Sequence, residues 1–299
     1  MPPFVGQAIL LCFIFLLATP TWAQTQTPEL IDTLHKIKKR GVIRLGYREN
    51  SVPFSFLVDN QPIGYSIDLC NAIVKKISVE LGIEVRVDYR PVTTHNRFLL
   101  LVSGGIDLEC GSSSITSERK KQSAFSPVIF VTGTKLLLKR DSPITNLRDL
   151  RNKTVVLTRD TSNADAIERL SQKQRLEITF VFGEDHDKSF DILASGKADA
   201  FANDDVLLHG WIANTKMSGD YRVIGGSLSY EPYGLTFRKD DFRFADLVER
   251  AFQELAKTGE IVRLYDKWFL KPLPSGVSLN LPMSPELEDS FGALALTAE

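Results

Sequence analysis

Arg48, Thr94, His95, Arg97, Ser112 and Ser114 each follow the carboxyl end of a short apolar run in the first half of the chain; Thr161, Ser162, His186 and Asp204 do so in the second. Open parallel sheets bind ligands outside the carboxyl ends of their strands, so these side chains face one space if those runs are strands. The set holds cations, hydroxyls and a carboxylate. That is the chemistry for holding a small zwitterionic anion. Singly, each residue has an ordinary reading. Arg48 can pair with Glu49, Arg97 can open a helix as an exposed cation, and His186 in Glu184-Asp185-His186-Asp187 can be a solvated loop histidine. Asp204 and Asp205 can simply favour a helix dipole, and Arg119 lies in Ser117-Glu118-Arg119-Lys120-Lys121, a stretch that reads as a solvated helix face. Their joint location is what favours binding.

Catalytic signatures are absent from the sequence: it has no G-x-S-x-G elbow, H-E-x-x-H pair, Walker A loop or G-x-G-x-x-G turn. The four histidines show no close pair at metal-ligand spacing, so neither a metal nor a cofactor is expected, and a non-enzyme is favoured.

The elements that would carry these residues follow from periodicity. After an amphipathic helix over Leu30 to Lys38, Val42 to Gly46 reads as a buried strand. A helix runs from Ile67 to Leu81, with Ser66 as N-cap, Leu69, Ile73, Ile77 and Leu81 on one face, and Gly82 at its stop. Glu84 to Val92 alternates as a strand, Asn96 to Val102 is helical, and Ile106 to Cys110 is a strand again. The same order restarts with strands at Thr154–Leu157, Ile178–Phe182 and Ala198–Ala202 and helices at Ala164–Ser171, Lys188–Ala194 and Asp205–Ile212. A repeated L-x-S-G-x-x-D, ending at Asp107 and at Asp199, marks the two halves as related. The spacing predicts an α/β protein of two lobes, each with a largely parallel sheet. The extended runs Thr134–Lys139 and Tyr233–Arg238 are expected to cross between the lobes as a two-strand hinge. Lobe one is then residues 24–133 and 234–275, lobe two 134–233, and residues 276–299 an irregular C-terminal arm.

Composition is consistent with this. Of 299 residues, 36 are basic and 37 acidic, with no long basic run, so no nucleic-acid partner is expected. Residues 1–23 hold an apolar run through Ala18 and the small-x-small pattern Thr21-Trp22-Ala23, which read as a signal peptide cleaved after Ala23. The run is shorter than the ~20 residues of a membrane span. Cys70 and Cys110 lie in apolar runs where a buried free thiol is the commoner state; free thiols are expected, with one bridge the alternative.

Several motifs resemble a known family. Gly64-Tyr65-Ser66-Ile67-Asp68-Leu69 before an amphipathic helix is similar to the signature of family 3 extracellular solute-binding proteins of ABC transporters, with Ser66 where that family usually has an acidic residue. The run Gly46 to Ser55, Asn96-Arg97 with Glu109-Cys110-Gly111-Ser112, Asp185-His186 with Ser189-Phe190, and Asp266-Lys267-Trp268-Phe269 resemble its glutamate/aspartate-binding branch. The likeness extends from Leu34 to Phe291. It implies a type II periplasmic-binding-protein fold and a periplasmic, monomeric protein that captures L-glutamate or L-aspartate for an ABC transporter permease in the inner membrane. It also implies site roles: Arg119, Ser112, Ser114 and Ser162 on the α-carboxylate, Asp204 on the α-ammonium, and Arg48, Arg97, Thr94 and His186 around the side-chain carboxylate. In contact with a carboxylate, His186 is expected as imidazolium, with binding taking up a proton. Positions 94, 114 and 162 exchange Ser and Thr relative to close relatives, which leaves the choice between glutamate and aspartate open. A sensor presenting ligand to a receptor and a dehydratase-like enzyme on the same fold are the alternatives.

Overall fold

The computed structural model describes residues 32–297; the expected signal peptide, residues 1–23, lies outside them. Two five-stranded sheets have the same plan. In the first, Arg86–Pro91, Val42–Tyr47 and Leu108–Cys110 run parallel, followed by antiparallel Thr236–Arg238 and Ser123–Phe125. In the second, Thr179–Gly183, Thr154–Thr158 and Ala200–Asp204 run parallel, followed by antiparallel Thr134–Lys139 and Tyr221–Ile224. The last strand of each sheet pairs antiparallel with the fourth and so runs with the first three; each sheet is largely parallel as expected, and the one reversed strand is the one that arrives from the other lobe. Strand alternation buries both faces of the second sheet: Val155, Leu157, Ala200 and Ala202 pack with Ala164 and Ile167 on one side, Val156 and Phe201 with Phe190, Leu193 and Leu208 on the other.

The repeated L-x-S-G-x-x-D has the same structural use twice. The Asp107 amide donates to Arg44 O at 2.8 Å and its carboxylate accepts from the Arg44 amide at 2.8 Å. The Asp199 amide donates to Thr154 O at 2.8 Å, and its carboxylate accepts from the Thr154 amide at 2.9 Å. In each lobe this aspartate fastens the incoming chain to the strand beside it, so the strand that follows ends at the cleft.

The long helix of lobe one spans Tyr65–Leu81 and begins at Gly64, ahead of the expected Ser66 cap. The Tyr65 and Ser66 amides donate to the carbonyls of Pro53 and Phe54, which removes the need for a side-chain cap. Gly64, at φ 137°, fits against Phe54 so closely that a Cβ would stand 2.2 Å from its carbonyl oxygen. Freed from capping, the Ser66 hydroxyl donates to Gly111 O at 2.7 Å and ties this helix to a loop of the cleft. One turn further on, Cys70 is bonded to Cys110, a disulfide where free thiols were the expectation. Helix and central strand bring the two Cα atoms to 6.2 Å, within bridging range, and burial in apolar surroundings does not prevent the bond.

The crossing segments pair antiparallel as Phe130–Thr132 with Glu231–Tyr233, a few residues before each of the expected runs; Thr134–Lys139 and Thr236–Arg238 belong to the sheets. Phe130 and Tyr233 join Phe54, Tyr65, Tyr265 and Phe269 in one aromatic cluster of lobe one. The C-terminal segment is not irregular throughout. Pro285–Leu296 is a helix capped by Ser284, and Leu287, Phe291 and Leu294, at helical spacing, are buried in the lobe-one core.

Candidate functional site

Four helices begin at the interlobe cleft: Arg97–Ser103 from lobe one and Ser162–Gln174, His186–Ala194 and Asp205–Thr215 from lobe two. Their N-terminal amides favour an anion between them. Within this space a small cavity is lined by Arg48, Thr94, Arg97, Ser112, Ser114, Arg119, Ser162, His186 and Asp204, the nine residues assigned to the site from sequence, together with Thr161, Asn163 and Leu207. His95, by contrast, is exposed at the rim, where its Nδ1 lies 2.8 Å from Asp160 of the other lobe. Asn50 donates to Asp187 at 2.8 Å at the same rim, and the Ser162 and Ser114 hydroxyls lie 3.1 Å apart inside. The lobes are closed on one another.

The cations are held from both sides. Arg48 follows the first strand, and the Ser55 hydroxyl accepts from its amide at 2.8 Å and donates to its carbonyl at 3.1 Å. Arg97 opens its helix and is 3% exposed; its guanidinium stands 4.9 Å from the Phe98 ring centre. Arg119, in a charged run that alone reads as a solvated face, is half-buried, donates to Ser114 O at 3.0 Å and lies 5.3 Å from the Phe98 ring centre. Burial pushes all three guanidinium pKa values down, Arg97 furthest because Arg119 and Arg48 add like charge. Arginine's high basicity keeps them cationic.

His186 is 7% exposed, and burial followed by the Arg48 and Arg97 charges lowers its pKa well below 6.5. In the ligand-free protein this disfavours the imidazolium expected from contact with a carboxylate. The Asn203 amide nitrogen, a donor only, lies 3.4 Å from His186 Nδ1, and the Thr158 hydroxyl lies 3.1 Å from it. Nδ1 accepts, so the neutral ring carries its proton on Nε2.

Asp204 ends its strand at 3% exposure. Asn163 donates to its Oδ1 at 2.8 Å and Tyr233 to its Oδ2 at 2.5 Å. A second carboxylate stands close: Glu231, which accepts from Ser162 at 2.7 Å and from Ser229 at 2.8 Å. Burial, then the Glu231 charge, raise the Asp204 pKa to about 7 against those two hydrogen bonds. Asn163 also donates to Thr134, which bonds Ser229, so one polar ring joins lobe two to the returning crossing strand. Asn163, Glu231 and Tyr233 escaped sequence reading because they converge from segments some 70 residues apart. The motif Tyr230-Glu231-Pro232-Tyr233 carries no spacing that would single them out. Among the described residues, no cluster of His, Cys, Asp and Glu could hold a metal ion, and no helix is long and apolar enough to cross a membrane.

Residues 43–271 match the model of the bacterial extracellular solute-binding proteins, family 3. The chain is 41% identical over 264 residues to the L-glutamate/L-aspartate-binding protein of Pseudomonas aeruginosa, covering 87% of each chain. It is 40% identical over 275 residues to the glutamate/aspartate import solute-binding protein of Escherichia coli K12, covering 91% of this chain and 90% of that one. Among solved structures, a mutant of ArgBP from T. maritima superposes with a TM-score of 0.71 at 27% identity, over 80% of this chain and 99% of that one. Both sequence relatives are binding proteins and none of the three is named as an enzyme.

Proposed function

Since the chain belongs to the bacterial extracellular solute-binding proteins, family 3, we propose that it captures acidic L-amino acids, glutamate and aspartate, in the interlobe cavity and delivers them to an ABC permease of the inner membrane. It is a solute-binding protein and not an enzyme. The observation that carries the ligand reading is the convergence of Arg48, Arg97 and Arg119 with Asp204 on one small cavity. Three fixed guanidiniums suit two carboxylates, since arginine binds such groups bidentately, and a buried carboxylate suits one ammonium.

In this reading Arg119, Ser112, Ser114 and Ser162 hold the α-carboxylate and Asp204 the α-ammonium. Arg48, Arg97, Thr94 and the Nε2–H of His186 hold the side-chain carboxylate. The lobes, 24–133 with 234–275 and 134–233, close about the crossing strands as the ligand joins groups from both. The protein works as a periplasmic monomer, released from its signal peptide after Ala23.

Calorimetry with glutamate, aspartate, glutamine and arginine tests this directly. Micromolar or tighter binding of the acidic pair is expected, about −8 kcal/mol or stronger. Tighter binding of glutamine or arginine than of both acids would overturn the reading.

A further inference from the structure

Glu109 is the one ionisable side chain of the central strand Leu108–Cys110. Strand alternation turns it away from Leu108 and Cys110, which enter the lobe-one core, and toward the arginine end of the cleft. It is 1% exposed, and neither carboxylate oxygen has a hydrogen-bond partner among the described residues. A buried ionisable group without hydrogen bonds is costly unless opposite charge compensates it. That charge is present. A Cβ at Gly111 would stand 2.3 Å from Glu109 Oε1 and 3.0 Å from Arg48 Cγ, so glycine there leaves carboxylate and arginine stem side by side. Glu109 is the foremost opposing charge on Arg48, and it acts on Arg97 and Arg119 as well. It does not line the cavity, so it meets the ligand only through the arginines.

We propose that Glu109 is a specificity-determining residue: a counter-charge behind Arg48 and Arg97 that leaves the side-chain end of the cavity with one net positive charge, matched to one carboxylate. The inference rests on the reading of the cavity as a site for acidic amino acids. Two guanidiniums alone would carry two charges against the ligand's one. With no hydrogen bond to any arginine, Glu109 acts through its field rather than by orienting a side chain.

The test is the ratio of glutamate to glutamine affinity by calorimetry in the wild-type protein, Glu109→Gln and Glu109→Asp. Glutamine has no charge at the end concerned, so removing the counter-charge strengthens glutamate alone. The ratio should rise roughly tenfold or more in Glu109→Gln at low salt, with the excess shrinking as salt is added, and stay near the wild-type value in Glu109→Asp. Equal weakening of both ligands, or an unchanged or reduced ratio, would overturn the proposal and assign Glu109 a structural role. If Glu109→Gln does not fold, carbon-13 spectra of the Glu109 carboxyl in the wild-type protein decide: ionised at pH 7 with and without glutamate supports the proposal, protonated in the free protein overturns it. A wild-type protein that binds neither acidic amino acid defeats the functional reading and this inference with it. Wild-type binding with no change of ratio in Glu109→Gln defeats the inference alone.

Discussion

The Ser162 hydroxyl donates to Glu231 at 2.7 Å, joining the first residue of a lobe-two helix to the strand that returns to lobe one. A hydroxyl has a single proton, so on arrival of an α-carboxylate Ser162 must turn from Glu231 to the ligand. Ser162→Ala should therefore weaken glutamate, aspartate and glutamine alike, by about 1–2 kcal/mol, the worth of a hydrogen bond to a charged group less the one given up. Titrations with the three ligands check this; a loss confined to the acidic pair would move Ser162 to the other end of the site.

Arg119 and Arg97 both lie over the Phe98 ring and should divide the ligand between them. Arg119→Ala is expected to cost every amino acid about 2–5 kcal/mol, since all share the α-carboxylate, whereas Arg97→Ala should cost the acidic ligands that much and glutamine far less. Equal losses for glutamate and glutamine in Arg97→Ala would show that it does not serve the side-chain end.

Protons should leave, not enter, on binding. Asp204, faced by Glu231, Tyr233, Asn163 and Arg119, has its pKa raised to about 7 in the ligand-free protein. A ligand ammonium favours the carboxylate and lowers that value, so affinity should fall as pH drops through about 7, with proton release on binding between roughly pH 5 and 7. The folded state holds this proton more tightly than the unfolded chain. Its contribution to ligand-free stability is thus full below the unfolded value of about 3.9 and lost as pH rises through 7. Calorimetry in buffers of different ionisation enthalpy measures the release directly. Because His186 is already neutral, His186→Gln should leave it unchanged; uptake abolished by that change would restore the charged histidine.

The Cys70–Cys110 bridge closes a loop across the helix and central strand, 40 residues apart in sequence. By loop closure it should contribute about 3–4 kcal/mol to stability. Denaturant unfolding of Cys70→Ala/Cys110→Ala against the wild type checks this, and reduction of the wild type should reproduce most of the loss. Equal midpoints with and without reductant would show that the bond is absent in solution.

How far the sequence was readable differs between lobe and site. The duplicated L-x-S-G-x-x-D located both halves because its aspartates bond the backbone of the neighbouring strand, a local rule that leaves a local trace. The strand ends likewise pointed to Arg48, Arg97 and Asp204, since direction along a parallel sheet is enough to place them. Charge state was not readable. Burial, then two arginines from the other lobe, push the His186 pKa down, and burial, then Glu231 on a crossing strand, push that of Asp204 up; none of these neighbours is near in sequence. Arg119 shows the converse, a residue in a charged run that tertiary packing against Ser114 and Phe98 takes out of water.

Phe130 and Tyr233 anchor both crossing strands in the aromatic block formed with Phe54 and Phe269. Mechanically those strands are part of lobe one, a fixed bracket rather than a pliant strap. Just beyond the bracket the two chains touch at Gly133, where a Cβ would stand 2.4 Å from Ser229 O. Any rotation about the crossing strands must therefore accommodate this close approach of Gly133 and Ser229. Lobe two brings Ser162, His186 and Asp204 to the cavity as one jaw, and the arginines of lobe one form the other. A bulkier residue at position 133 would jam that joint without touching a single group in the cavity.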